Sequence, residues 1–162
     1  MADIAILCCG GTIDKVYFDA KSSYQVGEPA AAAVFARARA SLPPPVPLLR
    51  KDSLEMDDND RAAVAAAVNN SPARRLLICH GTDTMAQTAR AVAAACADKT
   101  TVFTGAFLPA VFRESDADFN IGFALAAAMV LPPGVYIAMN GKIIPAAKAH
   151  KNVEAGRFEE EG

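Results

Sequence analysis

The sequence predicts an α/β fold in which a mainly parallel sheet is covered by helices on both faces. Short apolar runs rich in β-branched residues alternate along the chain with alanine-rich segments of helical length. Most of the apolar runs stop at glycine or polar residues, as buried parallel strands do. The 162 residues are about the usual size of one domain, and they contain no internal repeat or linker. We therefore expect residues 1–162 to form a single domain.

The first half of the chain predicts three strands and two helices. The first strand, Ile4–Cys8, is followed by a polar segment, residues 14–28, which is too long for an ordinary strand-to-helix connection. The elements that follow are a helix from Pro29 to about Ala40, a strand from Val46 to about Arg50, a helix from Asp57 or Asp58 to the stop signal at residues 69–72, and a strand at Arg75–Cys79. This alternation implies right-handed crossovers between parallel strands.

The second half continues the same alternation. Its elements are a helix from about Thr84 to Ala97, a strand at Thr100–Thr104, a helix from about Asp116 to Leu131, a strand at Val135–Met139 and a short edge strand at Lys142–Ile144. The edge strand follows the turn residues Asn140 and Gly141. The acidic tail, residues 153–162, is expected to be loosely held.

Charge and hydropathy exclude two classes of partner. The chain has 16 basic and 18 acidic residues, and its Lys and Arg side chains form no dense block, so nucleic acid is not an expected partner. No apolar run reaches the length of a membrane span, so no membrane association is expected. The segment Met1–Ile4 lacks the features of a secretory signal, and the protein is expected to be cytoplasmic.

The four cysteines, Cys8, Cys9, Cys79 and Cys96, lack the paired spacing of a zinc site or a CxxC redox motif. They are predicted to be reduced thiols. The alternative is a redox pair among Cys8, Cys9 and Cys79, which requires that their strands be neighbours.

Candidate site residues follow the predicted strands, where ligands collect in an open parallel sheet. After the five strands in turn come Gly10-Gly11-Thr12, Asp52-Ser53, His80–Thr84, Gly105-Ala106 and the segment from Asn140 to Lys151. The residues expected to share one pocket are Thr12, Ser53, Thr82, Asp83 and Lys151.

This pocket has the groups that acyl transfer needs. A threonine hydroxyl is a weak nucleophile that requires a positioned base, and a lysine oriented by a carboxylate can serve as one. Glycine backbones and the amides that open the helix at Thr84 can bind a developing oxyanion. Segment 14–28, which contains Tyr17 and Tyr24, is predicted to be a lid.

Two motifs resemble a known family. Cys9-Gly-Gly-Thr-Ile13 and His80-Gly-Thr-Asp-Thr-Met85 are similar to the two signatures of the L-asparaginases, in the same order and at the same strand ends. Weaker similarities are found at Ser22–Gly27 (the lid tyrosine), Asp52-Ser53 (the substrate-clamping serine), Thr104–Ala106 (the loop whose backbone faces the substrate amide) and Ala149–Lys151 (the catalytic lysine).

The resemblance implies a flavodoxin-like three-layer sandwich and a set of roles. Thr12 would be the first nucleophile, with Tyr24 as its lid partner. Thr82, Asp83 and Lys151 would form a second polar triad. The substrate would be bound by Ser53, Asp83 and the backbone at Gly11 and Ala106.

The implied reaction is hydrolysis of an amino-acid amide, L-asparagine, to L-aspartate and ammonia through an acyl-enzyme on the nucleophile. No cofactor or metal is implied. A homo-oligomer, dimer or higher, is expected, as is a short form that corresponds to the N-terminal domain of the family.

The sequence departs from the family at Cys9, where threonine is usual, at Leu54, where a polar side chain is usual, and at Leu108, where arginine is usual. Two alternative functions stay open: a non-catalytic module that binds an amino acid or its amide, and a hydrolase of another small amide such as glutamine. Among single residues, His80 is interpreted as structural, and Ser53 and Asp83, each taken alone, are also typical helix caps.

Overall fold

The computed structural model describes residues 3–162. Met1 and Ala2, which belong to the segment that lacks the features of a secretory signal, lie outside the described residues. The strands are β1 Ile4–Gly10, β2 Lys15–Phe18, β3 Ser23–Val26, β4 Val46–Lys51, β5 Arg75–Cys79, β6 Thr100–Thr104, β7 Gly134–Met139, β8 Lys142–Pro145, β9 Ala149–Asn152 and β10 Arg157–Glu160. The helices are α1 Ala31–Arg37, α2 Asp58–Asn70, α3 Met85–Ala95 and α4 Ala117–Val130.

The central sheet has six strands in the order β4-β1-β5-β6-β7-β8. Its first five strands are parallel. In their own chain order they run 2-1-3-4-5, the flavodoxin-like arrangement. The antiparallel edge strand β8 follows a tight turn at Asn140 and Gly141, whose φ angles are 55° and 72°. The predicted fold class is therefore confirmed, including the edge strand.

Alternation along the strands builds a core on each face of the sheet. In β5, Leu76 and Ile78 pack with α2 and α3, whereas Leu77 and Cys79 pack with α1 and α4. All four of these side chains are buried, as the near-continuous apolar strand predicts. The layers are therefore helix, sheet, helix.

The polar segment between β1 and α1 is more regular than predicted. Strands β2 and β3 pair antiparallel across it and form a two-stranded hairpin. Helix α1 is shorter than predicted, since it ends at Arg37, and Arg39 adopts a left-handed φ of 53°. The amide of Ala40 then donates to the Phe35 carbonyl, which closes the helix end.

The expectation that residues 153–162 are loosely held is wrong for residues 157–160. Strand β10 pairs antiparallel with β9, and Phe158 is fully buried. One large apolar side chain among acidic ones is enough to fix the strand, because its burial favours the folded position.

Membrane spans and cysteine pairing can be assessed over the described part of the chain. No helix of residues 3–162 combines the length and the apolar character needed to cross a bilayer. The four cysteines are buried free thiols, and Cys8 lies directly beside Cys79 in the pairing of β1 with β5.

Candidate active site

The turn that carries Thr12 packs directly against the loop that carries Thr82. Gly11 has a φ of 90°, and its N–H donates to the Lys51 carbonyl at 2.9 Å. A Cβ atom at Gly11 would lie 2.3 Å from Gly81 Cα, which no side chain tolerates. Glycine is therefore required here because two backbones meet, and the two predicted motifs adjoin each other.

Thr12 begins a single 3₁₀ turn, Thr12–Asp14, and is partly buried. None of the side-chain hydrogen bonds within residues 3–162 involves its hydroxyl. The hydroxyl is thus not engaged by a base through a side-chain hydrogen bond within residues 3–162.

Three predicted residues meet at Lys151. Its Nζ donates to Thr82 Oγ1 at 2.9 Å and to Asp83 Oδ1 at 2.6 Å. The side chain of Lys151 is only 16% exposed, and its ammonium lies 5.2 Å from the centroid of the Phe107 ring. The predicted triad is therefore present as a hydrogen-bonded group at the carboxyl end of β5.

The strand that carries Lys151 is held by an aromatic anchor. Phe158 lies opposite Lys151 in the pairing of β9 with β10, and its ring centroid is 6.3 Å from that of Phe107. The Phe158 N–H donates to Asn140 Oδ1 at 3.0 Å. The sequence reasoning missed both aromatic residues, although an apolar residue within an acidic tail is a usable signal.

Ser53 forms a cap on α3. It is buried, its Oγ accepts the Thr84 N–H at 3.3 Å, and its carbonyl accepts the Thr84 hydroxyl at 2.8 Å. A Cβ atom at Gly81 would lie 2.6 Å from Ser53 Oγ. Ser53 therefore holds the start of α3, as the capping interpretation predicts. Its role in substrate binding stays a prediction.

Four candidate residues line two separate clefts next to the 3₁₀ turn Ser53–Glu55, Thr82, Asp83 and Lys151 the first and Tyr24 the second. Thr12 and Ser53, which were expected in the same pocket, line neither of the two. One cleft of about 360 Å³ is lined by Leu54, Thr82, Asp83, Ala86, Gln87, Arg90, His150, Lys151 and Val153. The other, of about 410 Å³, is lined by Lys15, Tyr24, Gln25, Val26, Arg50, Asp52 and Glu55. A larger groove of about 540 Å³ between α2 and α3 lies away from the motifs. The structure thus does not place Tyr24 in the cleft of Lys151.

Tyr24 belongs to the hairpin and is 49% exposed. Its ring packs edge-on against Tyr17 and Phe112, with centroid distances of 5.5 Å and 5.7 Å. At the same cleft, Lys15 forms an ion pair of 2.8 Å with Asp52, and this hydrogen bond holds the pKa of the Asp52 carboxyl below its usual value.

His80 is a structural residue, in agreement with its interpretation from sequence. It is fully buried, and its Nδ1 lies 2.7 Å from the Gly81 carbonyl, so the proton must be on Nδ1. Burial lowers the pKa of His80 to about 4, which leaves the imidazole neutral near pH 7.

The loop after β6, Gly105-Ala106, makes close backbone contacts and exposes no side chain. Ala106 is buried in the core, and a Cβ atom at Gly105 would lie 2.3 Å from the His80 carbonyl oxygen. Two of the three departures from the family pattern are at the surface, since Leu54 is 73% exposed and Leu108 is also exposed, whereas Cys9 is buried. Over residues 3–162, no three His, Cys, Asp or Glu side chains are grouped as metal ligands.

One buried carboxylate was missed entirely. Asp14 accepts the Ala30 N–H at 2.8 Å through Oδ1, and burial raises the pKa of its carboxyl to about 6. Nothing in the sequence marks it, since it lies just outside the Cys9–Ile13 motif.

Comparisons with known proteins agree with this geometry. The chain resembles the thermostable L-asparaginase from Thermococcus kodakarensis, with 26% identity, a TM-score of 0.86, and coverage of 97% of this chain and 50% of the other. A probable cytoplasmic L-asparaginase from Campylobacter jejuni is also 26% identical, with a TM-score of 0.76 and coverage of 99% and 52%. L-asparaginase I from Vibrio cholerae, at 23% identity, has the same fold, with a TM-score of 0.79 and coverage of 100% and 55%.

The chain thus spans about half the length of these three proteins. Comparison with curated protein sequences gives no match. The family described as "Asparaginase, N-terminal" matches residues 3–158, nearly the whole sequence. This chain therefore belongs to the asparaginase family and corresponds to its N-terminal region.

Proposed function

We propose that this chain hydrolyses the side-chain amide of L-asparagine to L-aspartate and ammonia, with Thr12 as the nucleophile. The observation that carries the proposal is the hydrogen-bonded group of Lys151, Thr82 and Asp83 beside the Thr12 turn. Family membership supports an amidohydrolase in general. The identity of the nucleophile rests on the free Thr12 hydroxyl and its place in the motif.

In the proposed reaction, Thr12 Oγ bonds to the amide carbon and the C–N bond breaks. The nitrogen leaves as ammonia and carries away the Thr12 proton. Water then cleaves the acyl ester, which releases aspartate and returns a proton to Thr12. Tyr24, brought over the site by the hairpin, assists the first transfer.

The second triad acts on the leaving nitrogen. Because Thr82 Oγ1 already accepts a hydrogen bond from Lys151, its own hydroxyl proton is free to be donated into the site. Lys151, which is oriented by Asp83, replaces this proton on Thr82 and recovers one from Thr12, so the net transfer is of the single Thr12 proton to the nitrogen. The remaining Asp83 oxygen, the Ser53 hydroxyl, and the backbone at Gly11 and Ala106 bind the substrate.

The proposal includes a homo-oligomer and a cytoplasmic location. Helix α4 exposes Phe119, Met129 and Val130, apolar side chains typical of a contact surface between subunits. The Campylobacter jejuni neighbour, described as a probable cytoplasmic protein, supports the location. Sedimentation equilibrium of the purified protein tests the assembly, and a monomer at every concentration would contradict it.

A second candidate is a module that binds an amino acid or its amide without turnover. It is favoured by one observation: no base is hydrogen bonded to the Thr12 hydroxyl among the side-chain hydrogen bonds of residues 3–162. Glutamine in place of asparagine is a further alternative, favoured by the apolar Leu54 at the cleft.

Ammonia release tests the proposal on wild-type protein, Thr12→Val and the matched control Thr101→Val. The Thr101 hydroxyl is buried without a partner, so its removal leaves the site untouched. We expect release from L-asparagine by wild type and Thr101→Val and its loss in Thr12→Val. Release from L-glutamine alone would identify the other amide. Folded wild type that binds but does not turn over asparagine would support the binding module.

A further inference from the structure

Asp14 connects three segments through hydrogen bonds. Its N–H donates to the Gly11 carbonyl at 3.1 Å, within the turn that carries Thr12. Its carbonyl accepts the Gly27 N–H at 2.8 Å. Its side-chain Oδ1 accepts the Ala30 N–H, also at 2.8 Å. The side chain is 3% exposed, so these bonds are shielded from water.

The bond to Ala30 gives one amide at the start of α1 a partner. The first amides of a helix have no partner within the helix. Ala30 is the N-cap of α1 and has no side chain that can accept one. Asp14 supplies the acceptor from 16 residues away, so the start of α1 is fixed by the turn that follows Thr12.

The bond to Gly27 closes the base of the hairpin. Strand β2 begins at Lys15, directly after Asp14, and β3 ends at Val26, directly before Gly27. A Cβ atom at Gly27 would lie 3.3 Å from the Asp14 carbonyl oxygen and 3.0 Å from Val16, so the two chain ends are in close contact. Both ends of the hairpin therefore meet at Asp14.

We infer that Asp14 is a positioning residue that sets the place of the Thr12 turn and the base of the hairpin together. The inference rests on the proposed function for its catalytic consequence, since the nucleophile and Tyr24 lie on the two segments that Asp14 joins. Asp14 itself touches neither the substrate nor the reacting atoms.

The charges around Asp14 make this junction sensitive to pH. Burial raises the pKa of its carboxyl, and Glu28 ahead of α1 adds to the rise, whereas the Ala30 N–H and Arg50 of β4 act in the opposite direction. The thiols of Cys9 and Cys79 face it from β1 and β5. Since an opened junction would expose the carboxyl to water, ionisation near pH 6 favours opening, and protonation favours the closed form.

Amide hydrogen exchange tests the inference without reference to catalysis. In wild type, we expect the protection factors of Gly27 and Ala30 to fall together, by about tenfold or more, as the pH rises from about 4 to 7. In Asp14→Asn, which keeps an acceptor for Ala30, protection should not vary with pH. The matched control, Asp58→Asn, removes an exposed carboxylate of α2 and should behave as wild type. Protection in wild type that is independent of pH would overturn the inference, even if no Asp14 variant folds.

Steady-state kinetics separates positioning from general stability. We expect Asp14→Ala to lower kcat for asparagine by about 100-fold, because a small displacement of a nucleophile costs that much. Asp14→Asn should restore kcat to within about threefold of wild type, since its amide oxygen still accepts the Ala30 N–H. Full kcat in Asp14→Ala would refute the inference and leave the proposed function intact. Inactive wild type would refute the proposed function, and the exchange data would still decide the role of Asp14.

Discussion

The two clefts beside the Ser53–Glu55 turn differ in how completely they are assembled. On one side, Lys151 is hydrogen bonded to both Thr82 and Asp83. In the other cleft, Tyr24 is half exposed. The Thr12 hydroxyl, which lines neither cleft, takes part in no side-chain hydrogen bond within residues 3–162. The comparison indicates that the Lys151 part of the proposed site is preorganised, and we expect the part that includes Tyr24 to be completed by closure of the hairpin.

The difference follows from what supports each side. Lys151 lies on a strand whose partner residue, Phe158, is buried in the core. Tyr24 lies on a two-stranded hairpin with exposed aromatic side chains, and an isolated hairpin is only marginally stable. Local stability is therefore expected to be high around Lys151 and low around Tyr24.

The largest effect is expected for Lys151→Met. Removing the ammonium leaves Thr82 without its proton source, so kcat for asparagine should fall by about 10³-fold or more. The unfolding midpoint should change little, because the methionine can keep the contact with Phe107. Lys148→Met, which removes an exposed lysine paired with Glu160, is the control. Comparable rates in the two variants would show that Lys151 is not part of the chemistry.

The second prediction compares the contributions of Phe158 and Tyr24 to the free energy of unfolding. Phe158→Ala should lower the free energy of unfolding by about 3–5 kcal/mol, the usual cost of emptying a buried aromatic site. Tyr24→Ala should cost less than about 1 kcal/mol because its ring is half exposed. Urea unfolding of both variants measures the difference. Equal losses would remove the contrast between a rigid and a mobile side.

The preorganised side is also the part that the sequence predicted best. Thr82 and Asp83 follow a buried strand, and the carboxyl ends of parallel strands converge. Lys151 is expected in the same pocket because its segment follows the fifth strand, and the resemblance supplies its role; the structure brings it to the other two. The fold was predictable for a related reason, since apolar runs and helix caps act over short distances along the chain. Asp57, for example, caps α2 with a reciprocal hydrogen bond to Asp60.

The less ordered side was predicted poorly, because its structure depends on contacts distant in sequence. The Asp14 carboxylate accepts a hydrogen bond from the Ala30 N–H, and no local sequence pattern predicts this bond. On the preorganised side, Phe158 is a similar exception, because its contacts with Phe107 and Asn140 join it to residues distant in the sequence. Both side chains are buried by contacts that exist only in the assembled fold, so their burial could not be predicted from the local sequence.

The third prediction concerns the buried charge on the hairpin side. The pKa of Asp14 is raised by burial from 3.8 to about 6, so the unfolded chain ionises first as the pH rises. Its contribution to stability is therefore fully present below about pH 3.8 and is lost between there and about pH 6, by about 3 kcal/mol. Asp14→Asn lacks this loss, so it should be more stable than wild type above pH 6.

Thermal unfolding of both proteins from pH 4 to 8 checks the third prediction. The difference between Asp14→Asn and wild type should grow from pH 4 to about pH 6 and then level off. Asp58→Asn, which removes an exposed carboxylate of α2, serves as the control and should show no such growth. A constant difference would mean that Asp14 titrates near its ordinary pKa.

The smallest effect is expected at the ion pair of Lys15 with Asp52, which links the hairpin to β4. Both side chains are partly exposed, so salt screens the pair and its contribution should be below about 1 kcal/mol. Lys15→Met should therefore lower stability slightly at low ionic strength and not at all in about 1 M salt. Lys21→Met, at the exposed tip of the hairpin, is the control in urea unfolding. A large loss that persists in high salt would mean that the hairpin is held as firmly as the strand of Lys151, and that the two sides do not differ in order.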